Sequence, residues 1–156
     1  MSPAFKHLDA FIAIGYHLDA PEGDFDPREE GAYWMGKDFS SISPEDFARL
    51  AGDGHEEIAG WVQQADLFYF FGPVVRDKSF VPEKAAVVEV PAAEYAAFPV
   101  PVSASFQELN ANIRSAWKEA YSWLESSAWT QAGQAFEYYL SDRTYIYIPV
   151  VKKGEA

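Results

Sequence analysis

Residues 134–140 read QAFEYYL, which sets a single carboxylate, Glu137, in a run of rings. Alternate side chains of a strand share a face, so Ala135, Glu137 and Tyr139 fall on one side and Phe136, Tyr138 and Leu140 on the other. A carboxylate among rings is costly to bury alone, and it must be paired, hydrated or used. Arg143 is near enough in sequence to pair with it. If Glu137 is used, two chemistries open. As a fixed anion it holds a lipophilic cation while neighbouring ring faces add about 0.5 to 2 kcal/mol each. As a general base with its proton affinity raised by apolar surroundings, it takes a proton from water attacking a small electrophile.

Other residues extend this candidate site. Tyr145 and Tyr147 share a face of a later strand, where either the Tyr147 hydroxyl orients a ligand or water beside Glu137, with Glu89 contributing a second carboxylate, or these residues simply decorate a wet face. Tyr33 and Trp34 precede Lys37-Asp38-Phe39 in a segment that fits either a lid or a structural plug. Trp61, Trp117, Tyr121 and Trp123 recur at helical core spacing, which makes most of them packing residues and leaves one or two, Trp123 among them, to line a cleft.

Several chemistries are excluded or disfavoured. With no cysteine there is no disulfide, thiol catalysis or cysteine metal site. The tetrapeptide HLDA at 7–10 and 17–20 offers His7, Asp9, His17 and Asp19, but only His55 remains to join them and no zinc-type spacing exists. Neither a metal nor any other cofactor is expected. No G-x-S-x-G elbow and no phosphate loop is present, and EGDFDPREE lacks the glycine and final glutamate of a calcium loop.

The elements that must position these residues follow from periodicity. Strands are expected at 10–18, 67–75, 85–90, 95–102, 135–140 and 144–150. The prolines of 95–102 imply an edge or a bulge. Ser43-Pro44-Glu45-Asp46 has the chemistry of a helix start, with apolar spacing running on to Gln64. A second, amphipathic helix spans 105–126. The two halves, about 8–91 and 94–153, superpose in this order. Phe47 falls on Leu109, Ile58 on Ala120, LFYFFG on AFEYYL, and Val87 and Glu89 on Tyr145 and Tyr147, which sets Tyr69 opposite Glu137. The expected fold is α+β: duplicated βαββ units about a pseudo-twofold axis, an antiparallel sheet, two long helices and a central cleft.

The chain has 156 residues, 49% of them hydrophobic, which suits a single domain over 1–156. Aromatic residues reach 17%, more ring surface than a small core needs, and the surplus fits pocket walls. A net charge of −12 with scattered Lys and Arg repels nucleic acid and attracts cationic small molecules. The opening residues lack the features of a secretory signal, and no apolar run reaches membrane-spanning length, so a soluble cytoplasmic protein is expected, compatible with a homodimer.

The order EYAAFPV, a helix ending in WLESSAW, then AFEYY and YIYIPVVKK, resembles the GyrI-like domain, also called the AraC-type effector-binding domain. The resemblance is clearest over Glu94 to Lys153. It implies a duplicated βαββ fold enclosing a cleft, with the family's acidic pocket residue falling on Glu137. Relatives include ligand-sensing halves of multidrug-responsive regulators, free-standing proteins that protect against toxins, and hydrolases of strained cyclopropane-bearing electrophiles. No helix-turn-helix precedes Phe5, so a stand-alone member without DNA-binding machinery is expected. Three functions follow in order of preference: a binder of hydrophobic, cationic or planar aromatic small molecules, a hydrolase with Glu137 as base, and an acidic protein-interaction module.

Overall fold

The structure is a computed structural model and describes residues 2–19, 39–52, 56–60, 67–140 and 143–154. Among them are β1 (Ala4–Leu8), β2 (Phe11–Asp19), α1 (Pro44–Ala51), β3 (Glu57–Ala59), β4 (Leu67–Val75), β5 (Ala86–Val90), β6 (Ala93–Val100), α2 (Phe106–Ser126), β7 (Trp129–Gln131), β8 (Phe136–Tyr139) and β9 (Thr144–Lys152). The fold is α+β, and the strand pairs described below are antiparallel. Two compact units divide the chain: residues 1–10 with 91–156, and residues 11–90.

In the unit of residues 11–90 the strand order is β5-β2-β4-β3. Strands β2 and β4 come into close backbone contact where Gly15 meets Gly72. A Cβ on Gly15 would lie 2.3 Å from the Phe71 carbonyl oxygen, so only glycine fits. α1 starts as expected, with Ser43 as N-cap accepting from the Asp46 amide at 3.1 Å and Pro44 at the first helical position. It ends far short of Gln64. Gly52 adopts φ 62°, a left-handed conformation that terminates the helix, and Ile58 is a fully buried residue of β3 instead. The expected match of Ile58 to Ala120 on a helix is therefore overturned, and one of the two long helices is short. Phe47 of α1 stacks on Tyr16 and Phe71, at 5.5 and 6.1 Å between ring centroids, and so closes this unit's helix-facing side.

In the other unit the order is β1-β6-β9-β8, with β7 pairing the far end of β9. β6 is not an edge strand. Pairing with β1 stops at Ala97, so Pro99 lies beyond that neighbour and its missing amide costs no ladder bond there. α2 is capped by Ser105, which accepts from the Glu108 amide at 3.1 Å, and Lys153 Nζ donates to the Glu125 carbonyl at 3.1 Å near the helix's negative end. Its apolar stripe, Ala116, Ala120 and Leu124, packs on Phe98, Ile146 and Ile148. Leu109, Ile113, Trp117, Tyr121 and Trp123 flank that core half-buried. Strands β1 and β7 were not expected, β1 because its residues are almost all exposed and carry no burial pattern.

Candidate functional site

Directly opposed residues of paired strands point to the same face, so the registers decide what Glu137 can meet. Glu137 pairs with Ile146 of β9, and Ile146 pairs with Phe98 of β6. Both belong to the core beneath α2, so Glu137 lies on the helix-facing side of β8. Tyr139, two residues on, shares that face. Its hydroxyl donates to Glu137 Oε1 at 2.6 Å, a short charge-assisted bond. From α2, Trp117 Nε1 donates to Oε2 at a longer 3.4 Å, and the indole stacks on Tyr121 with centroids 5.8 Å apart and planes 18° apart. Glu137 thus has one neutral donor on each oxygen and two stacked rings alongside.

The electrostatics follow from that shell. Burial raises the Glu137 proton affinity above the ordinary carboxylate range, and the bonds from Tyr139 and Trp117 pull it partly back. Among the described residues no Lys, Arg or His forms an ion pair with it. Arg143, the sequence candidate for that role, donates to the Tyr145 hydroxyl at 3.3 Å. Its hydrogen-bond partners among the described residues are therefore dipoles and not ions.

The other expected residues are distributed more widely. Phe136 pairs with Tyr147 and Tyr138 with Tyr145, so all four rings lie on the face opposite Glu137. Tyr147 is buried there between Tyr95 and Tyr138, with centroids at 5.9 and 5.2 Å, on the side of the sheet away from Glu137. Burial pushes the neighbouring Tyr95 hydroxyl up to about 12, which keeps it neutral. Trp123 lies on the helix-facing side but against Phe5 and Phe98, at 6.0 and 5.5 Å. Tyr69 and Glu89 belong to the unit of residues 11–90: Tyr69 meets Phe39 edge-on at 5.7 Å, and exposed Glu89 accepts from Lys78 Nζ at 2.8 Å. Tyr33 and Trp34 lie outside the described residues. Both HLDA copies bring their histidine to their aspartate, His7 to Asp9 at 3.4 Å and His17 to Asp19 at 3.2 Å. Trp117 is the partner that sequence reasoning filed under packing, since its place on the α2 stripe resembles that of any core aromatic.

Residues 55–151 match the GyrI-like small molecule binding domain. The chain belongs to this GyrI-like family. No protein with a curated description matches it. Among solved structures, SAV2435 bound to tetraphenylphosphonium superposes with a TM-score of 0.60 at 14% identity, covering 97% of this chain and 94% of that one. An integron cassette protein from the mobile metagenome of Vibrio cholerae gives a TM-score of 0.56 at 14% identity over 97% of both chains. The EcmrR C-terminal domain gives 0.54 at 15% identity over 96% of both. Identities this low show shared fold. Among the described residues no helix is long and apolar enough to cross a membrane.

Proposed function

We propose that this GyrI-like protein binds hydrophobic cationic or planar small molecules against the side of β8 that faces α2, with Glu137 as counter-charge and Trp117, Tyr121 and Tyr139 as ring walls. One observation carries the reading: a half-buried carboxylate whose only partners among the described residues are neutral donors. A diffuse onium charge needs no hydrogen-bond acceptor and gains from ring faces as well as from the anion. The tetraphenylphosphonium held by SAV2435 is a ligand of that class. Titration with tetraphenylphosphonium should quench the tryptophan fluorescence saturably, and Glu137→Gln should weaken binding at least tenfold, about 1.4 kcal/mol. Equal affinity of the glutamine variant would overturn the reading.

The raised proton affinity of Glu137 also favours a second reading, general-base hydrolysis of a small electrophile. Turnover of a strained cyclopropane by wild type and not by Glu137→Gln supports it. Turnover by neither removes it.

Internal doubling is part of the same proposal. Each unit has the strand order terminal–first–third–second, as β1-β6-β9-β8 and as β5-β2-β4-β3. Read through the registers, β4 corresponds to β9 and β3 to β8. Ala59, which pairs with Phe71, then takes the place of Glu137, which pairs with Ile146. Tyr69 corresponds on this reading to Thr144, because each pairs with its first strand at Leu18 or Val100. One copy carries the charge and the other a methyl group.

A further inference from the structure

The binding reading leaves open what balances the Glu137 charge when no ligand is present. We infer that a lipophilic cation enters this site in exchange for a proton, one proton leaving the Glu137 carboxyl for each cation bound. The inference rests on the proposed binding role and adds its regulation.

The geometry of the shell supplies the reason. Tyr139 and Trp117 each stabilise the ionised form by a hydrogen bond, at 2.6 and 3.4 Å, yet neither carries positive charge. From β9 the facing groups are Ile146 and Thr144, neither of them charged. From α2, Tyr121 is a neutral phenol stacked on Trp117, and the charged residues nearest Trp117 in the helix, Arg114, Lys118 and Glu119, are exposed. The two hydrogen bonds offset the loss of water around the carboxylate only in part, and its proton affinity is raised accordingly. An onium ion against the rings supplies the missing charge, lowers that affinity and expels the proton. By linkage, whatever the cation does to the proton the proton does to the cation, so acidification weakens ligand binding. The carboxyl loses H⁺ to buffer as the cation arrives, and the charge of the site changes from zero to zero.

Glu137 is not the only group here whose proton affinity is raised. His7 on β1 is lifted by Glu94 and, more weakly, by Asp9. Its separate location makes it the necessary control.

The test is calorimetric titration of the folded full-length chain with tetraphenylphosphonium at pH values from about 4 to 8, each in two buffers of different ionisation enthalpy. Affinity should rise about tenfold per pH unit on the acid side and level off above it, with buffer-dependent heat showing proton release. Tyr139→Phe should move the break to higher pH, and His7→Gln should leave it unchanged. A flat affinity profile with buffer-independent heat would overturn the inference while leaving the binding role intact. So would a pH dependence abolished by His7→Gln. Absence of binding at every pH would instead remove the binding role itself.

Discussion

The Tyr139 hydroxyl reaches Glu137 Oε1 at 2.6 Å from two residues further along the same strand, so one β-strand supplies both the charge and its strongest stabiliser. Tyr139→Phe keeps the ring and deletes the donor. Tetraphenylphosphonium affinity near neutral pH should fall by about tenfold, in keeping with a hydrogen bond to a charged group. Fluorescence titration of the two proteins side by side measures it.

Glu137 should destabilise the empty protein at neutral pH. Its folded proton affinity is raised, so between the ordinary carboxylate range and the raised folded value the native state binds more protons than the unfolded chain, and stability falls as pH rises through that window. Glu137→Gln should lose this slope and gain about 0.5 to 2 kcal/mol at neutral pH, read as a higher urea midpoint. A lower midpoint would mean that the Tyr139 and Trp117 bonds outweigh desolvation.

The crossing of β2 and β4 admits no side chain at Gly15, where an added Cβ would also sit 2.5 Å from the Gly72 Cα. Gly15→Ala must separate two backbones and should cost at least 2 to 3 kcal/mol, an order-of-magnitude figure of about the size of an overpacked core. Gly52→Ala strains only an exposed helix end with open space around it, and should cost about 1 kcal/mol. Chemical denaturation of both variants gives the ranking.

His7 Nδ1 meets Glu94 Oε1 at 2.8 Å across the β1–β6 pair, and this contact raises the His7 pKa above 6.5. Its contribution is complete below 6.5 while the carboxylates stay ionised, and is lost as pH rises through the folded value. His7→Gln should erase that part of the stability–pH curve, and a proton NMR titration of His7 should place its midpoint above that of a free histidine.

The strand faces around Glu137 were legible because strand alternation is a local property. The faces of Ala135 to Tyr139 could be assigned from QAFEYYL alone, and α2 could be bounded from its Ser105 cap and its stripe. What escaped depended on contacts between distant segments. Helical spacing from Phe47 to Ile58 continues on paper, but Gly52 takes a positive φ and Ile58 is claimed by β4. Ring-rich strands such as LFYFFG and AFEYYL look alike in sequence, and only hydrogen-bond register tells their faces apart. Trp117 as a partner of Glu137 needed the distance between a helix and a strand twenty residues later.

The unit that holds Glu137 is assembled from residues 1–10 and 91–156, whereas residues 11–90 form the other unit without interruption. A ribosome therefore releases the whole uninterrupted unit before β6 can meet β1, and β8 and β9 emerge later still. Closing that long loop carries an entropic cost that the first-made unit avoids. Nascent chains arrested after residue 90 should present the uninterrupted unit and a dangling β1, and the cation binding proposed for Glu137 should appear only once β9 has left the exit tunnel.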